Sequence, residues 1–179
     1  MILTGKNIKL RAIEPTDLDL LYEWENNEEI WLVSGTLAPF SRLVLGQYLA
    51  NAHLDIYAHK QVRFLIEIVS SRKRIGCIDL FDFDPKNKRA GVGLLIGDKT
   101  ERAKGYASEA LSLLEGYVFE VLDLHQLHCN ITVDNEPSVH LFKNHHFEIT
   151  GRKTDWIYNN GEWLDEYSLQ LLKREANKI

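Results

Sequence analysis

The most constraining stretch of the chain runs from Ala90 to Val121. Ala90, Val92, Leu94, Leu95 and Ile96, with Gly91 and Gly93 between them, form an apolar run of strand length. A short loop follows, Arg102, Ala103, Lys104, Gly105. Then Ala107, Ala110, Leu111, Leu114, Tyr117, Val118 and Val121 recur at three- and four-residue spacing, the apolar stripe of a helix. A strand, a basic glycine-bearing loop and a helix that starts at once make a natural anion site. The first N–H groups of a helix lack intrahelical partners, and its positive dipole end favours phosphate. Gly105 lets the backbone come close to such a group, or serves only a tight turn; both readings stay open on these features.

Strand patterns flank this unit. Asn7 to Ile13 alternates polar and apolar residues, and Glu14–Pro15–Thr16–Asp17 stops it, with Thr16 as a helix N-cap and Asp17 and Asp19 in the first turn. Leu18, Leu21, Tyr22 and Trp24 form the inner side of that helix. Glu28 to Gly35 is less regular. A further helix is predicted after Pro39, capped by Ser41, with Leu43, Val44, Gln47, Tyr48, Leu49 and Ala52 inward. Gln61–Val69, Arg74–Phe83 and Val92–Ile96, joined by short polar turns, predict an antiparallel meander. His125–Val133 predicts a strand parallel to Val92–Ile96, because a helix crossover joins the two. A short helix from Ser138 to His145 and a hairpin about Asn159–Asn160–Gly161 complete the chain. No linker, repeat or low-complexity tract interrupts residues 1–179, so one domain is expected.

Composition excludes more than it assigns. No apolar run approaches a membrane span and the N-terminus lacks a signal-peptide pattern, so the expected location is cytoplasmic, with no membrane partner. A net charge of −5 argues against general nucleic-acid binding and is compatible with a cationic substrate. Cys77 and Cys129 are expected as reduced, buried thiols. The seven histidines match no zinc spacing, so no metal is expected.

Arg102-x-x-Gly105-x-Ala107, after an apolar strand and before an amphipathic helix, resembles the acetyl-CoA pyrophosphate loop of the GNAT superfamily of N-acetyltransferases. A second stretch, from Asn135 through Ser138 to Leu141 and Phe142, stands where that family has its next motif. Ile75 to about Leu172 also resembles the branches that acetylate spermidine and the N-termini of ribosomal proteins. The resemblance implies an α+β fold: a central, mostly antiparallel twisted sheet with two parallel strands splayed apart at a β-bulge, flanked by helices. It implies acetyl-CoA as cosubstrate and a primary amine as acceptor, a small-molecule amine such as a polyamine or a protein N-terminus, reached by direct transfer in a ternary complex. It further implies that the backbone of Leu94, Leu95 and Ile96 meets the pantetheine arm and the oxyanion. Arg102, Ala103, Lys104, Gly105, Tyr106 and Ala107 would hold the pyrophosphate, and Asn135 would contact the arm.

Acetyl transfer to an amine also needs a route for the ammonium proton, since a free alkyl ammonium has a pKa of about 10.4, and a proton for the leaving thiolate. Asp79 is the first candidate base, with Glu67 and Asp82 behind it; its other reading is solvation at a strand end. Relatives carry a proton-donating tyrosine where this chain has Phe142, and a glycine where it has His146. Ser138 is therefore a candidate donor, alongside water, Tyr106, or release of the thiolate without an acid, which a thiol pKa of about 8.5 allows. Asn135 and Ser138 also read as a turn residue and a helix cap. Acidic and aromatic residues between Glu23 and Trp31, Glu28 and Trp31 among them, form either an amine-binding rim or a solvated helix end. Two rival functions are a CoA-binding sensor of the same fold, suggested by the missing tyrosine, and a nucleotide-binding protein, disfavoured by the lack of a Walker pattern. The exposed hairpin about Trp156 and Trp163 offers a surface for a homodimer.

Overall fold

The computed structural model describes residues 3–52 and 55–173. In chain order its elements are β1 (Ile8–Ala12), α1 (Leu18–Glu25), α2 (Glu28–Ser34), α3 (Arg42–Ala50), α4 (Ile56–His59), β2 (Val62–Ile68), β3 (Arg74–Asp84), β4 (Arg89–Ile96), α5 (Tyr106–Gly116), β5 (Gln126–Thr132), α6 (Glu136–Asn144), β6 (Glu148–Asn159) and β7 (Glu162–Leu172). The strands form one sheet in the order β1-β2-β3-β4-β5-β7-β6. β1 to β4 are antiparallel, as the meander pattern predicts, and β4 and β5 form the parallel pair that the crossover demands.

That parallel pair is short. Arg89, Ala90 and Gly91 face Gln126, Leu127 and His128, and among the described residues no pairing continues beyond Gly91. From Val92 to Ile96, β4 keeps its bonds to β3 on one edge and parts from β5 on the other. This is the expected splay.

Side-chain alternation sorts the sheet into two faces. One face turns Phe64, Ile66, Ile78, Leu80, Ala90 and Val92 toward Ala110, Leu111, Leu114 and Val118 of the α5 segment in the larger apolar core. The other face meets α1 to α3 through a smaller cluster of Ile13, Leu21, Trp24, Ile30, Leu49 and Leu65. Cys77 and Cys129 are both buried and unpaired.

Several local expectations are corrected. Thr16 does not cap α1: Pro15–Asp17 forms a short 3-10 turn first, and α1 starts at Leu18. Asp17 is not a solvated first-turn carboxylate either. It is fully buried, accepts from Arg11 and Arg74 at 2.9 Å, and takes the Glu14 N–H at 2.7 Å. The less regular segment is α2, capped by Asn27 accepting from the Glu29 N–H. Ser41 does cap α3, but Leu43 and Val44 are exposed while Leu45 and Leu49 turn inward. Of the other residues expected inward, Leu49 is buried and Tyr48 half-buried, whereas Gln47 and Ala52 are exposed, because only the Leu45–Leu49 side of α3 is covered. Val121 is also exposed. After Gly116 the helix widens into a π turn over Tyr117–Val121, which rotates the stripe away from the core. The hairpin turns at Asn160 and Gly161 with φ of 50° and 90°, the geometry of a primed turn.

Candidate active site

The loop before α5 takes the form an anion site needs. Ala103 and Gly105 both have positive φ, 59° and 84°. Gly105 acts as N-cap without a side-chain cap bond, and the first intrahelical bond runs from the Glu109 N–H to the Gly105 carbonyl. The N–H groups of Tyr106, Ala107 and Ser108 are thus left without intrahelical partners at the positive end of the helix. Around Gly105 a Cβ would meet nothing within 4 Å, so the space there is open and its backbone angle, not crowding, calls for glycine. The basic side chains are partly engaged. Arg102 donates from Nε to the Ile96 carbonyl at 3.0 Å, tying the loop to the end of β4, and Lys104 pairs with Glu101 at 2.8 Å. Glu101 also accepts from Lys73 at 2.8 Å.

The splayed edge of β4 lies between this loop and α6. Leu94, Leu95 and Ile96 sit on it, past the last β5 pairing. Asn135 is the N-cap of α6 and accepts from the Ser138 N–H at 3.3 Å. The Ser138 hydroxyl, half-buried on the first turn of α6, has no partner among the described residues. Phe142 is buried edge-on to Phe147, with centroids 5.0 Å apart, and serves the core. His146 is exposed with φ of 65°, where its side chain reaches no partner among the described residues. These donor-side features fit acetyl-CoA: a cradle of unpaired N–H groups, open space over Gly105, and an unpaired strand edge leading from it.

The α1–α3 face holds a second feature. Arg63, Asp79 and Gly93 lie side by side on β2, β3 and β4, in register and on one face. Arg63 donates from Nε and Nη2 to the two Asp79 oxygens at 2.8 and 2.7 Å, and from Nη1 to Glu25 at the end of α1. Its side chain is half-buried, and although burial opposes ionisation the facing carboxylates hold its pKa well above the ordinary value. The Tyr48 ring lies 5.7 Å from the guanidinium, and burial pushes its hydroxyl up to about 12. These groups line a cavity of about 280 Å³, walled further by Phe40, Val44, Val62 and Phe81. Phe81 lies over Gly91, where any Cβ would strike its ring at 2.3 Å, so β4 needs glycine there. Across the fork His128 meets Phe81 edge-on, with centroids 6.2 Å apart. Burial, helped by Arg89 and opposed by Asp82, lowers the His128 pKa and keeps the ring neutral.

The structure therefore brings Asp79 next to the splayed strand, but already bound to Arg63. Glu67 is a brace, not a site residue, paired with Lys9 at 2.9 Å and Arg11 at 2.7 Å. Asp82 is exposed at a bulge of β3. Glu28 and Trp31 lie on α2 outside the lining of the cavity, and the Trp31 indole donates to the Glu25 carbonyl at 2.6 Å. Arg63, Glu25, Tyr48 and His128 escaped sequence reasoning. Only the register, which sets Arg63 opposite Asp79 across sixteen residues of chain, could have joined them.

Comparison with known proteins agrees with this geometry. The model of the acetyltransferase (GNAT) domain family matches residues 7–148. The uncharacterized N-acetyltransferase p20 of Bacillus licheniformis is 28% identical over 171 residues, covering 95% of both chains. The spermidine N(1)-acetyltransferase of Vibrio cholerae is 25% identical over 172 residues, covering 94% of this chain and 95% of that one. Among solved structures, the Vibrio cholerae spermidine N-acetyltransferase in complex with CoA and spermine matches with a TM-score of 0.84 at 25% identity, over 94% of this chain and 96% of that one.

Proposed function

The chain belongs to the GNAT acetyltransferase family and is an N-acetyltransferase, and from that premise we propose that it passes an acetyl group from acetyl-CoA directly to a primary amine seated in the Arg63–Asp79 cavity. The observation that carries this reading is the register: Asp79, in the cavity, lies directly opposite Gly93 on the splayed stretch of β4. A donor along the β4 edge and an acceptor in the cavity would meet there without a covalent intermediate on the protein.

When bound, acetyl-CoA supplies a thioester activated toward amines. The N–H groups of Tyr106, Ala107 and Ser108, with Arg102 and Lys104, would hold its pyrophosphate. The backbone of Leu94, Leu95 and Ile96, free of β5, would pair with the pantetheine amides and donate an N–H toward the developing oxyanion. Asn135 would add a contact to the arm. In the cavity, Asp79 and Glu25 attract the ammonium. Both Asp79 oxygens already accept from Arg63, so Asp79 orients the amine while solvent receives its proton. Ser138 offers the hydroxyl nearest in kind to the missing tyrosine, and the modest basicity of a thiolate keeps the demand on that donor small.

Thiol release from acetyl-CoA tests the reading against a panel of a polyamine, a peptide N-terminus, an amino sugar and a simple alkyl amine. Release that depends on an acceptor is expected. No release with any acceptor, together with no CoA binding by calorimetry, would overturn it.

A further inference from the structure

The cavity beside Gly93 is small, close to the lower end of the ~300–1,000 Å³ range of ligand pockets. Its polar groups are few and mutually committed. Glu25 and Asp79 supply two negative charges, Arg63 returns one positive charge, and Gln61 is neutral; no other charged side chain lines it among the described residues. The remaining wall is hydrocarbon and aromatic, from Phe40, Val44, Leu45, Tyr48, Val62 and Phe81.

We infer that the acceptor is a small primary amine bearing one positive charge on an apolar body, not a polyamine. This rests on the cavity being the acceptor site. One ammonium balances the single net negative charge; it can take the Glu25 oxygen that Arg63 does not engage and share the Asp79 oxygens with the guanidinium through their remaining lone pairs. A second ammonium, three or four carbons away, would meet the Arg63 guanidinium or an apolar wall inside the cavity, which disfavours a charge removed from water, and at the open mouth beside Val44 it would find no further acidic partner among the lining residues. Apolar substance in that place instead gains by leaving water and by lying against Phe40 and Phe81. Arg63 thus acts as a filter: it caps the number of positive charges the cavity accepts. In the reaction the bound ammonium first gives one proton to solvent; the neutral nitrogen then forms the C–N bond of an acetamide as the thioester C–S bond breaks, and the second proton it loses balances the one gained by the thiol.

The test compares 2-phenylethylamine with spermidine on the whole protein, by thiol release at saturating acetyl-CoA and by calorimetric titration of each amine alone. We expect kcat/KM for 2-phenylethylamine to exceed that for spermidine by about tenfold or more, with tighter binding in the same order. Arg63→Gln should move the ratio toward spermidine, but it strips two half-buried carboxylates of their partner and risks the fold. Val44→Asp avoids that risk: Val44 is exposed, and an acid in the first turn of α3 suits the helix dipole. It adds one negative charge at the lip of the cavity and should shift the ratio toward spermidine by about tenfold. Preference for spermidine in the unaltered protein would overturn the inference while leaving the acetyltransferase reading intact. So would equal changes for both amines in Val44→Asp, or turnover confined to the peptide N-terminus or the amino sugar. Absence of turnover with every amine, without CoA binding, would remove both readings at once.

Discussion

On the α5 face of the sheet, β1 to β4 meet Ala110, Leu111, Leu114 and Val118, none of which is exposed, in a core that continues without a break under α6. On the α1–α3 face a few apolar residues share the space with charges: Lys9, Glu67, Arg11, Asp17 and Arg74 in one network, and Glu25, Arg63 and Asp79 in another. The contrast matches the division of labour. A donor cradle on the α5 side needs only backbone held in a fixed shape, which uniform packing supplies. An acceptor cavity must discriminate among amines, and discrimination requires placed charges, each of which has to be paired to be tolerated.

If that division is right, the largest effect belongs to the charges. Asp17→Ala should cost about 3–5 kcal/mol in urea unfolding, because it strands Arg11 and Arg74 beside a buried void. A loss below about 1 kcal/mol would mean that the α1–α3 face, too, is held by apolar packing. Next, Asp79→Asn should lower kcat by about 10²-fold while CoA affinity, measured by calorimetry, stays the same. Normal turnover would dismiss Asp79 from the amine site.

A smaller effect is expected in acid. Burial alone would raise the Asp17 pKa, but hydrogen bonds from Arg11, Arg74 and the Glu14 N–H outweigh it and bring the carboxyl down to about 2. A folded pKa below the unfolded one means stability that is full above about pH 4 and is lost as pH falls toward 2. The loss is roughly 2 kcal/mol and should vanish in Asp17→Asn. A denaturation midpoint flat over that range would contradict the assignment. The smallest effect lies in the donor loop. Neutralising Arg102 and Lys104 together should weaken CoA binding severalfold without altering the amine KM, since the backbone N–H groups remain. Glu101→Gln should act in the opposite direction by freeing Lys104, and a change of amine KM in either variant would blur the two sides.

Donor-side features were legible because each is local. The strand, the loop with Gly105 and the stripe from Ala107 to Val118 lie within about thirty consecutive residues, and their periodicity survives being read as a string. The helix α6 was readable for the same reason, although it starts at Glu136 with Asn135 as its cap, two residues before the expected start at Ser138. The stripe failed only at Val121, where a π turn breaks the period that the reading assumed. The acceptor side is non-local. Asp79 was noticed as a lone acid on an apolar strand, but Arg63, Glu25 and Tyr48 come from β2, α1 and α3. Asp17 looked like an ordinary first-turn acid until two distant arginines enclosed it.

The sequence by itself determined the succession of strands, the meander and the crossover that makes β4 and β5 parallel, since these follow from periodicity, turn chemistry and chain connection, whereas α2 and the four-residue α4 carried too little periodicity to be read as helices. Tertiary structure decided where β4 parts from β5, which carboxylates are paired, and which side chains line the Arg63–Asp79 cavity. Those depend on register and on long-range charge pairing, which are set by the whole sheet and written in no single stretch of chain.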